Sequence, residues 1–273
     1  MITSPRNERL KDIRRLARSK GDRALLEGPH LLAEALAAGI ALETVLATPE
    51  FLAGAEGREL AGRFREPPLE IASAALASIG DVDSPRGVAA VARLPRGGAE
   101  ALPAPAAGPG GALDRVYLYA DGLQDPGNLG ALARVVEAAG AAGLALGVGS
   151  VHPNHPRALR ASAGSLLRLP VAVATDPAAL DRRLGGAGPP RWVALLPRGG
   201  VSLWAEGWEG ARGAGAPPLV LALGAEGPGL SSAAADRAAA AVTIPLAPPV
   251  ESLNATVAAA LALFELRRRG LSF

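Results

Sequence analysis

The chain has 273 residues, 49% of them hydrophobic and 20% charged, which is enough to bury a sizeable core and excludes a disordered or fibrous protein. It contains no cysteine, so disulfides, thiol nucleophiles and thiolate-bound metals are excluded. The histidines are His30, His152 and His155, and Pro153 interrupts the only close pair. We therefore expect no protein-bound metal.

The N-terminal segment is strongly basic. Residues 1–20 carry seven Arg or Lys side chains against two acidic ones, whereas the formal net charge of the whole chain is only +2. Leu10, Ile13 and Leu16 recur there at helical spacing, which predicts a helix that faces phosphates. No uninterrupted apolar stretch suits a signal peptide or a transmembrane helix, so we expect a cytoplasmic protein without a membrane partner.

Mixed helix and strand patterns follow the basic segment. Apolar residues recur at helical spacing over 31–36, and the short runs at 44–47 and 88–91 suit strands, which predicts a small α/β domain. The next segment holds four prolines and five glycines with only two charged side chains, a composition typical of a linker. The predicted divisions are a first domain at 1–94, the linker at 95–112 and a second domain at 113–273.

Six short apolar runs follow the linker and alternate with segments that can be helical. Such runs are typical of strands covered on both faces, and the alternation predicts an α/β domain with a largely parallel sheet. Ligands of such sheets bind in loops at the carboxyl ends of the strands, so we expect function in the loops after the first, fifth and sixth runs. The runs are residues 116–120, 144–148, 169–174, 192–196, 219–223 and 241–244.

The first of these loops contains the turn Pro126-Gly127, after which Asn128 is a predicted helix N-cap. Arg134 lies six residues further, inside that helix, where it points either into the loop crevice or to solvent. The second loop has glycines at 224, 227 and 229, which let the backbone approach a ligand closely. Their spacing is not that of the dinucleotide fingerprint.

The third loop is a proline-rich bend that leads to Ser252 and Asn254 at the start of the last helix. We predict Ser252 as the N-cap of that helix. An apolar stripe along it suits packing in the core or across a dimer. The stripe consists of Leu253, Val257, Leu261 and Phe264.

Taken together in this order, the three loops resemble the three sequence motifs of the SpoU (TrmH-like) family of RNA ribose 2'-O-methyltransferases, in the SPOUT superfamily. Residues 2–7 and 26–31 are similar to that family's substrate-binding domain, and residues 162–165 and 169–171 also resemble the family. The resemblance therefore spans nearly the whole chain. One departure is Pro248-Pro249, which stands where the family usually has a glycine.

This resemblance implies a small N-terminal α/β RNA-binding domain and a C-terminal SPOUT methyltransferase domain whose parallel sheet ends in a deep trefoil knot. It also implies a homodimer whose site is built from both subunits and whose knot cradles S-adenosylmethionine. Arg134 would be the catalytic residue, oriented by Asn128, while Glu226, Ser252 and Asn254 shape the pocket. The residues implied in cofactor binding are Gly224, Glu226, Gly227, Ile244, Leu253 and Asn254.

The implied reaction is methylation of a ribose 2'-hydroxyl in structured RNA, with ribosomal RNA favoured over transfer RNA. A second hypothesis is a non-catalytic RNA-binding or assembly factor with the same fold. A guanidinium gives up its proton reluctantly, so we expect Arg134 to bind a phosphate and stabilise the developing alkoxide rather than act as a base. The expected RNA contacts of the basic segment are Arg6, Arg14, Arg15 and Arg18.

Overall fold

The computed structural model describes residues 1–16, 21–80, 85–105, 113–186, 188–210 and 216–270. The chain forms two compact units. The first consists of Met1–Pro95 together with His152–Arg168, and the second of Arg96–Val151 together with Leu169–Phe273. The domain boundaries given above stay a prediction, to which the structure adds that a segment from the C-terminal half groups with the first unit.

The described residues form eleven helices and eleven strands, besides one 3-10 helix. Up to Pro95 they are α1 Glu8–Leu16, β1 Arg23–Glu27, α2 Pro29–Ala37, β2 Leu42–Ala47, α3 Pro49–Ala53, α4 Ala55–Ala61, β3 Leu69–Glu70, α5 Ser73–Ala77 and β4 Val88–Arg93. A 3-10 helix at Ala99–Ala101 follows. The remainder are β5 Val116–Ala120, α6 Pro126–Ala139, β6 Gly143–Leu146, α7 Pro156–Ala161, α8 Ser165–Arg168, β7 Val171–Ala172, α9 Pro177–Leu184, β8 Arg191–Leu195, β9 Val201–Ser202, β10 Leu219–Leu223, α10 Ser232–Ala235, β11 Ala238–Thr243 and α11 Ala255–Gly270.

The first unit is built on a four-stranded sheet in the order β1-β4-β2-β3. Strand β4 pairs antiparallel with both β1 and β2, and β2 pairs parallel with β3. Leu10 and Ile13 of α1 are buried against Leu25, Leu46 and Val91 of the sheet. The predicted basic helix, the helix over 31–36 and the two predicted strands are confirmed.

The segment His152–Arg168 is bonded to the rest of the first unit by polar contacts. The Asn154 side chain is 1% exposed, and its Nδ2 donates to the carbonyl oxygens of Gly21, at 3.0 Å, and Leu94, at 2.9 Å. Arg160 forms an ion pair with Glu27, whose side chain is 9% exposed. These contacts explain why the segment groups with residues that are distant in sequence.

The second unit is built on a seven-stranded sheet in the order β7-β6-β5-β10-β8-β11-β9, and all of its pairings are parallel. The predicted parallel sheet is confirmed, and each of the six apolar runs contributes a strand. Tyr117, Tyr119, Trp192 and Val220 are buried in its core. The rings of Tyr119 and Trp192 meet edge to face at 5.2 Å.

The predicted linker packs against the second unit over its described residues. Leu102 is 1% exposed and lies in the core of that unit. The Tyr117 hydroxyl donates to the Pro103 carbonyl at 2.9 Å, and Arg183 Nε donates to the Leu102 carbonyl at 2.9 Å. Residues 106–112 of the linker lie outside the described residues.

The two predicted N-caps are wrong, each by a few residues. Helix α6 begins at Pro126, and Asp125 is its cap, because the Asp125 carboxylate accepts from the Asn128 N–H at 2.7 Å. Proline fits the first helical position, where its missing N–H would have no partner. Helix α11 begins at Ala255, so Asn254 caps it in place of Ser252.

No helix among the described residues is long and apolar enough to cross a membrane.

Candidate active site

The loops after β5 and β10 lie side by side at the carboxyl edge of the second sheet. Ala120 and Leu223 end neighbouring parallel strands in register, and the Asp121 N–H donates to the Leu223 carbonyl at 2.9 Å. A cavity of about 510 Å³ opens beside the second loop. Its walls come from the loops after β8, β10 and β11 and from the start of α11.

All six residues implied in cofactor binding line this cavity, as does Ser252. They come from the loop after β10 and from the loop after β11, which are separated in sequence but both border the cavity. Their role in binding a cofactor stays a prediction. The lining residues among them are Gly224, Glu226, Gly227, Ile244, Leu253 and Asn254.

The loop after β10 is a tight turn that requires its glycines. Ala225 and Gly229 exchange both backbone hydrogen bonds, at 3.1 and 3.0 Å. Gly227 and Gly229 have φ angles of +92° and +75°, which side-chain-bearing residues rarely adopt. A Cβ at Gly224 would lie 2.1 Å from the backbone carbon of Gly229. The loop therefore folds back on itself and turns its backbone toward the cavity.

A chain of amide hydrogen bonds links the three predicted loops. Asn254 Nδ2 donates to Asn128 Oδ1 at 3.0 Å, and Asn128 Nδ2 donates to Glu226 Oε1 at 3.3 Å. The Thr256 hydroxyl donates to the Asn128 carbonyl at 3.2 Å. Because its amide is bonded at both ends, Asn128 has a fixed orientation. The structure thus brings together three of the predicted site residues, one from each loop.

Arg134 lies apart from this group. It is exposed on α6 and is not among the described residues that line the cavity. Helix α6 packs along α11, and Arg134 is not among the buried residues of α6. Ser252 is exposed at the cavity wall.

Sequence reasoning missed Asp121, a buried carboxylate directly after β5. Its Oδ2 accepts from the Ser231 N–H at 2.7 Å, and its Oδ1 lies 3.4 Å from the Tyr119 hydroxyl. Burial, followed by the charge of Asp121, raises the pKa of the Tyr119 phenol, which therefore stays protonated as a donor. The available signal was the position of an acidic residue at the carboxyl end of a buried strand.

The predicted RNA contacts of the basic segment differ in their surroundings. Arg6 is exposed, and so is Arg15, which lies 3.6 Å from Asp12. Arg14 is half-buried and donates to the Pro5 carbonyl and to the Ser78 hydroxyl. Arg18 lies outside the described residues.

The part of the chain that the structure describes contains no cluster of three His, Cys, Asp or Glu side chains able to hold a metal ion.

Comparison with known protein families gives two matches. A model of the SpoU rRNA Methylase family matches residues 115–264, which include the cavity and all three loops. A model of the MRM3-like substrate binding domain matches residues 7–90, in the first unit. The resemblance inferred from the three motifs and from the N-terminal segment is thereby confirmed.

Two of the curated relatives match over almost their whole length. The 23S rRNA (adenosine(1067)-2'-O)-methyltransferase of Streptomyces laurentii is 32% identical, over 99% of this chain and 95% of the relative. The 23S rRNA (guanosine(2553)-2'-O)-methyltransferase RlmP of Bacillus subtilis is 28% identical, over 97% and 98%.

A solved structure agrees with these matches. The SpoU methyltransferase AviRb of Streptomyces viridochromogenes, in complex with AdoMet, has a TM-score of 0.83 and 26% identity, over 98% of this chain and 99% of AviRb. A family model that covers more than half of the chain and a full-length relative at 32% identity lead to one conclusion. The chain belongs to the SpoU rRNA methylase family.

Proposed function

We propose that this protein transfers a methyl group from S-adenosylmethionine to a ribose 2'-hydroxyl of 23S ribosomal RNA. The observation that carries the proposal is the cavity at the carboxyl edge of the sheet, with its glycine loop and the hydrogen-bonded amides of Asn128 and Asn254 beside it. The two curated relatives described above are both named as 23S rRNA 2'-O-methyltransferases. Such RNA is modified in the cytoplasm, where we place the activity.

The cavity fits S-adenosylmethionine in size and in chemistry. Its volume of about 510 Å³ lies within the range of about 300–1,000 Å³ usual for small-molecule sites. Leu195, Ile244 and Leu253 give it apolar walls for an adenine ring, and the turn at Gly224 and Gly227 offers backbone groups at close range. When bound, S-adenosylmethionine supplies the electrophilic methyl group and the sulfur leaving group.

The protein's own residues would position the ribose and stabilise charge. The 2'-hydroxyl passes its proton to water as its oxygen attacks, so negative charge develops on that oxygen. Arg134 holds an adjacent phosphate with its planar fork and stabilises this charge. Asn128, whose amide is fixed by Asn254 and Glu226, orients the groups around the reacting oxygen, and Ser252 completes the pocket wall.

We further propose a homodimer that brings Arg134 of one protomer to the cavity of its partner. Val257, Leu261 and Phe264 follow one another at helical spacing on α11 and are 47%, 37% and 47% exposed, although all three are apolar. The opposite face of α11 is buried in its own unit. A second copy of the chain that covers this stripe would account for its apolar character. The trefoil knot implied by the family would place α11 at the interface between the two copies.

The first unit would bind the RNA. Arg6 and Arg15 are exposed and available to phosphates, and Arg18 belongs to the same basic segment. Arg14 already donates within its own unit, so we assign it a smaller share of the RNA contact.

The test is methyl transfer by the purified full chain from labelled S-adenosylmethionine to unmodified 23S ribosomal RNA and to transfer RNA. Nuclease digestion and nucleoside mass spectrometry then identify the product, with Arg134→Ala as the inactive control. We expect one 2'-O-methylated nucleoside, from ribosomal RNA. Methylation of transfer RNA alone would mean that the substrate is transfer RNA and not ribosomal RNA. RNA binding without any binding of S-adenosylmethionine would establish the alternative, a non-catalytic RNA-binding factor.

A further inference from the structure

Asp121 is a buried carboxylate next to the cavity that the proposed chemistry does not use. It is 7% exposed, whereas Glu226, Ser252 and Asn254 are all exposed. It is not among the described residues that line the cavity, so any effect on a ligand there passes through other residues. Burial of an ionised group is unfavourable unless the group is hydrogen-bonded, and the bonds of Asp121 therefore indicate its role.

Asp121 is hydrogen-bonded to both ends of the glycine loop, residues 224–230. Its backbone N–H donates to the carbonyl of Leu223, the last residue before the loop, at 2.9 Å. Its Oδ2 accepts from the N–H of Ser231, the first residue after the loop, at 2.7 Å. One residue therefore fixes where the loop leaves β10 and where it ends. A hydrogen bond to an ionised acceptor is about twice as strong as a neutral one.

The second oxygen of the Asp121 carboxylate also has a polar neighbour. Its Oδ1 lies 3.4 Å from the Tyr119 hydroxyl, which is also 3.3 Å from the Thr175 carbonyl. A Cβ at Gly147 would lie 2.7 Å from both Asp121 Oδ1 and the Tyr119 hydroxyl. A side chain at position 147 would therefore displace the carboxylate or the phenol, and the glycine leaves both of them in place.

We propose that Asp121 is a positioning residue for S-adenosylmethionine, which acts by holding Leu223 and Ser231 so that the glycine loop keeps its shape at the cavity wall. The inference rests on the proposed function. The loop supplies much of the lining, so a change in its ends alters the binding surface without removing a ligand contact. The loop residues that line the cavity are Gly224, Ala225, Glu226, Gly227, Gly229 and Leu230.

The first test compares Asp121→Ala with Asp121→Asn in the full chain. Loss of a hydrogen bond to a charged group predicts a Kd for S-adenosylmethionine weaker by about 10-fold to 100-fold in Asp121→Ala, measured by calorimetry. Asn keeps one carbonyl oxygen for the Ser231 N–H, while Tyr119 still donates to Thr175, so Asp121→Asn restores most of the affinity. KM for S-adenosylmethionine rises with Kd, whereas the Kd for RNA stays unchanged.

A second variant breaks the same bond from the loop side. Ser231 has a φ of −61°, which proline adopts readily, so Ser231→Pro removes the N–H donor without a change in the φ of residue 231. We expect it to weaken S-adenosylmethionine binding as Asp121→Ala does. If Asp121→Ala fails to fold, Ser231→Pro carries the test.

The matched control is Asp181→Ala. Asp181 is also a hydrogen-bonded aspartate of the second unit, with Trp192 Nε1 at 2.7 Å and Arg237 Nε at 2.6 Å, but it does not line the cavity. The Asp181→Ala variant should have a lower midpoint of thermal unfolding and an unchanged Kd for S-adenosylmethionine. An unaltered Kd in Asp121→Ala and Ser231→Pro, with normal binding by the unmodified chain, overturns this inference alone. An unmodified chain that binds no S-adenosylmethionine overturns the proposed function as well.

Discussion

The two ends of helix α11 use polar side chains in opposite ways. At its N-terminal end, Asn254 is exposed, caps the helix and reaches Asn128 across the cavity edge. At its C-terminal end, the Arg269 side chain is only 7% exposed and lies between the carboxylates of Glu265 and Glu209. The first arrangement leaves polar groups facing open space, and the second uses them within the fold.

The C-terminal cluster consists of Glu209, Glu265, Arg268 and Arg269. Arg269 bonds Glu265 at 2.7 Å and Glu209 at 3.2 Å, and its guanidinium lies 5.5 Å from the centre of the Trp208 ring. It also donates to two backbone carbonyls, both at 2.8 Å. A guanidinium with this many partners has one position. Buried, fully bonded polar groups thus anchor the C-terminal end of α11, whereas Asn254 at the other end is hydrogen-bonded but stays exposed at the cavity wall.

The largest expected effect is loss of stability on removing Arg269. Arg269→Ala leaves the carboxylates of Glu209 and Glu265 buried without their shared cation, which costs about 3–5 kcal/mol of the free energy of unfolding. Urea denaturation measures this loss. Arg268→Ala is the matched control, because the Arg268 side chain is 68% exposed, and it should lose much less. Equal losses in the two variants would show that Arg269 does not anchor the helix.

The same cluster should make the protein sensitive to acid. Hydrogen bonding to Arg268, reinforced by Arg269 against the effect of burial, lowers the pKa of Glu265 from 4.5 to about 2. A depressed folded-state pKa contributes stability that is fully present above the unfolded pKa and is lost as pH falls from about 4.5 toward 2. We expect Glu265→Gln to be less stable than the unmodified chain at pH 7 and to approach it at about pH 2, as measured by urea denaturation across that range.

Arg134 is the opposite case to Arg269, because it is an exposed arginine with an expected role in activity. Arg134→Ala should reduce methyl transfer by about 100-fold to 1,000-fold, the usual cost of losing a group that stabilises developing charge. Arg134→Lys keeps the charge but loses the planar fork, so it should lose most turnover too. Neither change should alter the unfolding free energy or S-adenosylmethionine binding. Near-normal turnover in Arg134→Lys would show that the fork is not required.

Asn254 has two functions that different substitutions can separate: it caps α11, and it donates a hydrogen bond to Asn128. Asn254→Asp keeps an oxygen that caps α11 but loses the Nδ2 donor to Asn128. We expect about a tenfold loss of methyl transfer from one lost hydrogen bond, with unchanged thermal unfolding. Asn254→Ala loses the cap as well and should also unfold more easily, by about 1 kcal/mol. A drop in stability in Asn254→Asp would mean that the contact with Asn128 serves mainly the fold.

The strands and the loops of the second unit are predictable from the sequence because buried parallel strands are short continuous apolar runs. The run at 219–223 matches Leu219–Leu223 residue for residue, and the glycines after it indicate a close backbone approach. The first residues of the helices are harder to predict from the sequence. Asp125, Asn128, Ser252 and Asn254 are all good capping residues, and only the side-chain geometry shows which of them caps.

Contacts between residues far apart in sequence leave no periodic signal. Arg269 meets Glu209 across 60 positions, and Asn154 bonds the Gly21 carbonyl across 133. The sequence places each of these residues in a helix or loop but does not pair them. The position of Asp121 after a buried strand could have drawn attention to it, but its bond to Ser231, 110 positions away, could not be inferred.

The smallest expected effect concerns Pro248, which stands where the family usually has a glycine. Pro248 is exposed and is not among the described residues that line the cavity, so Pro248→Gly should change the Kd for S-adenosylmethionine by less than about threefold, or about 0.7 kcal/mol. The variant should be slightly less stable, because glycine gives the unfolded chain more conformational freedom. Pro245→Gly, at an exposed proline of the same bend, is the matched control. A gain of tenfold or more in affinity in Pro248→Gly alone would mean that the amide or the flexibility of a glycine contributes to binding. In that case Pro248 constrains the bend in a conformation that binds S-adenosylmethionine less tightly than a glycine would allow.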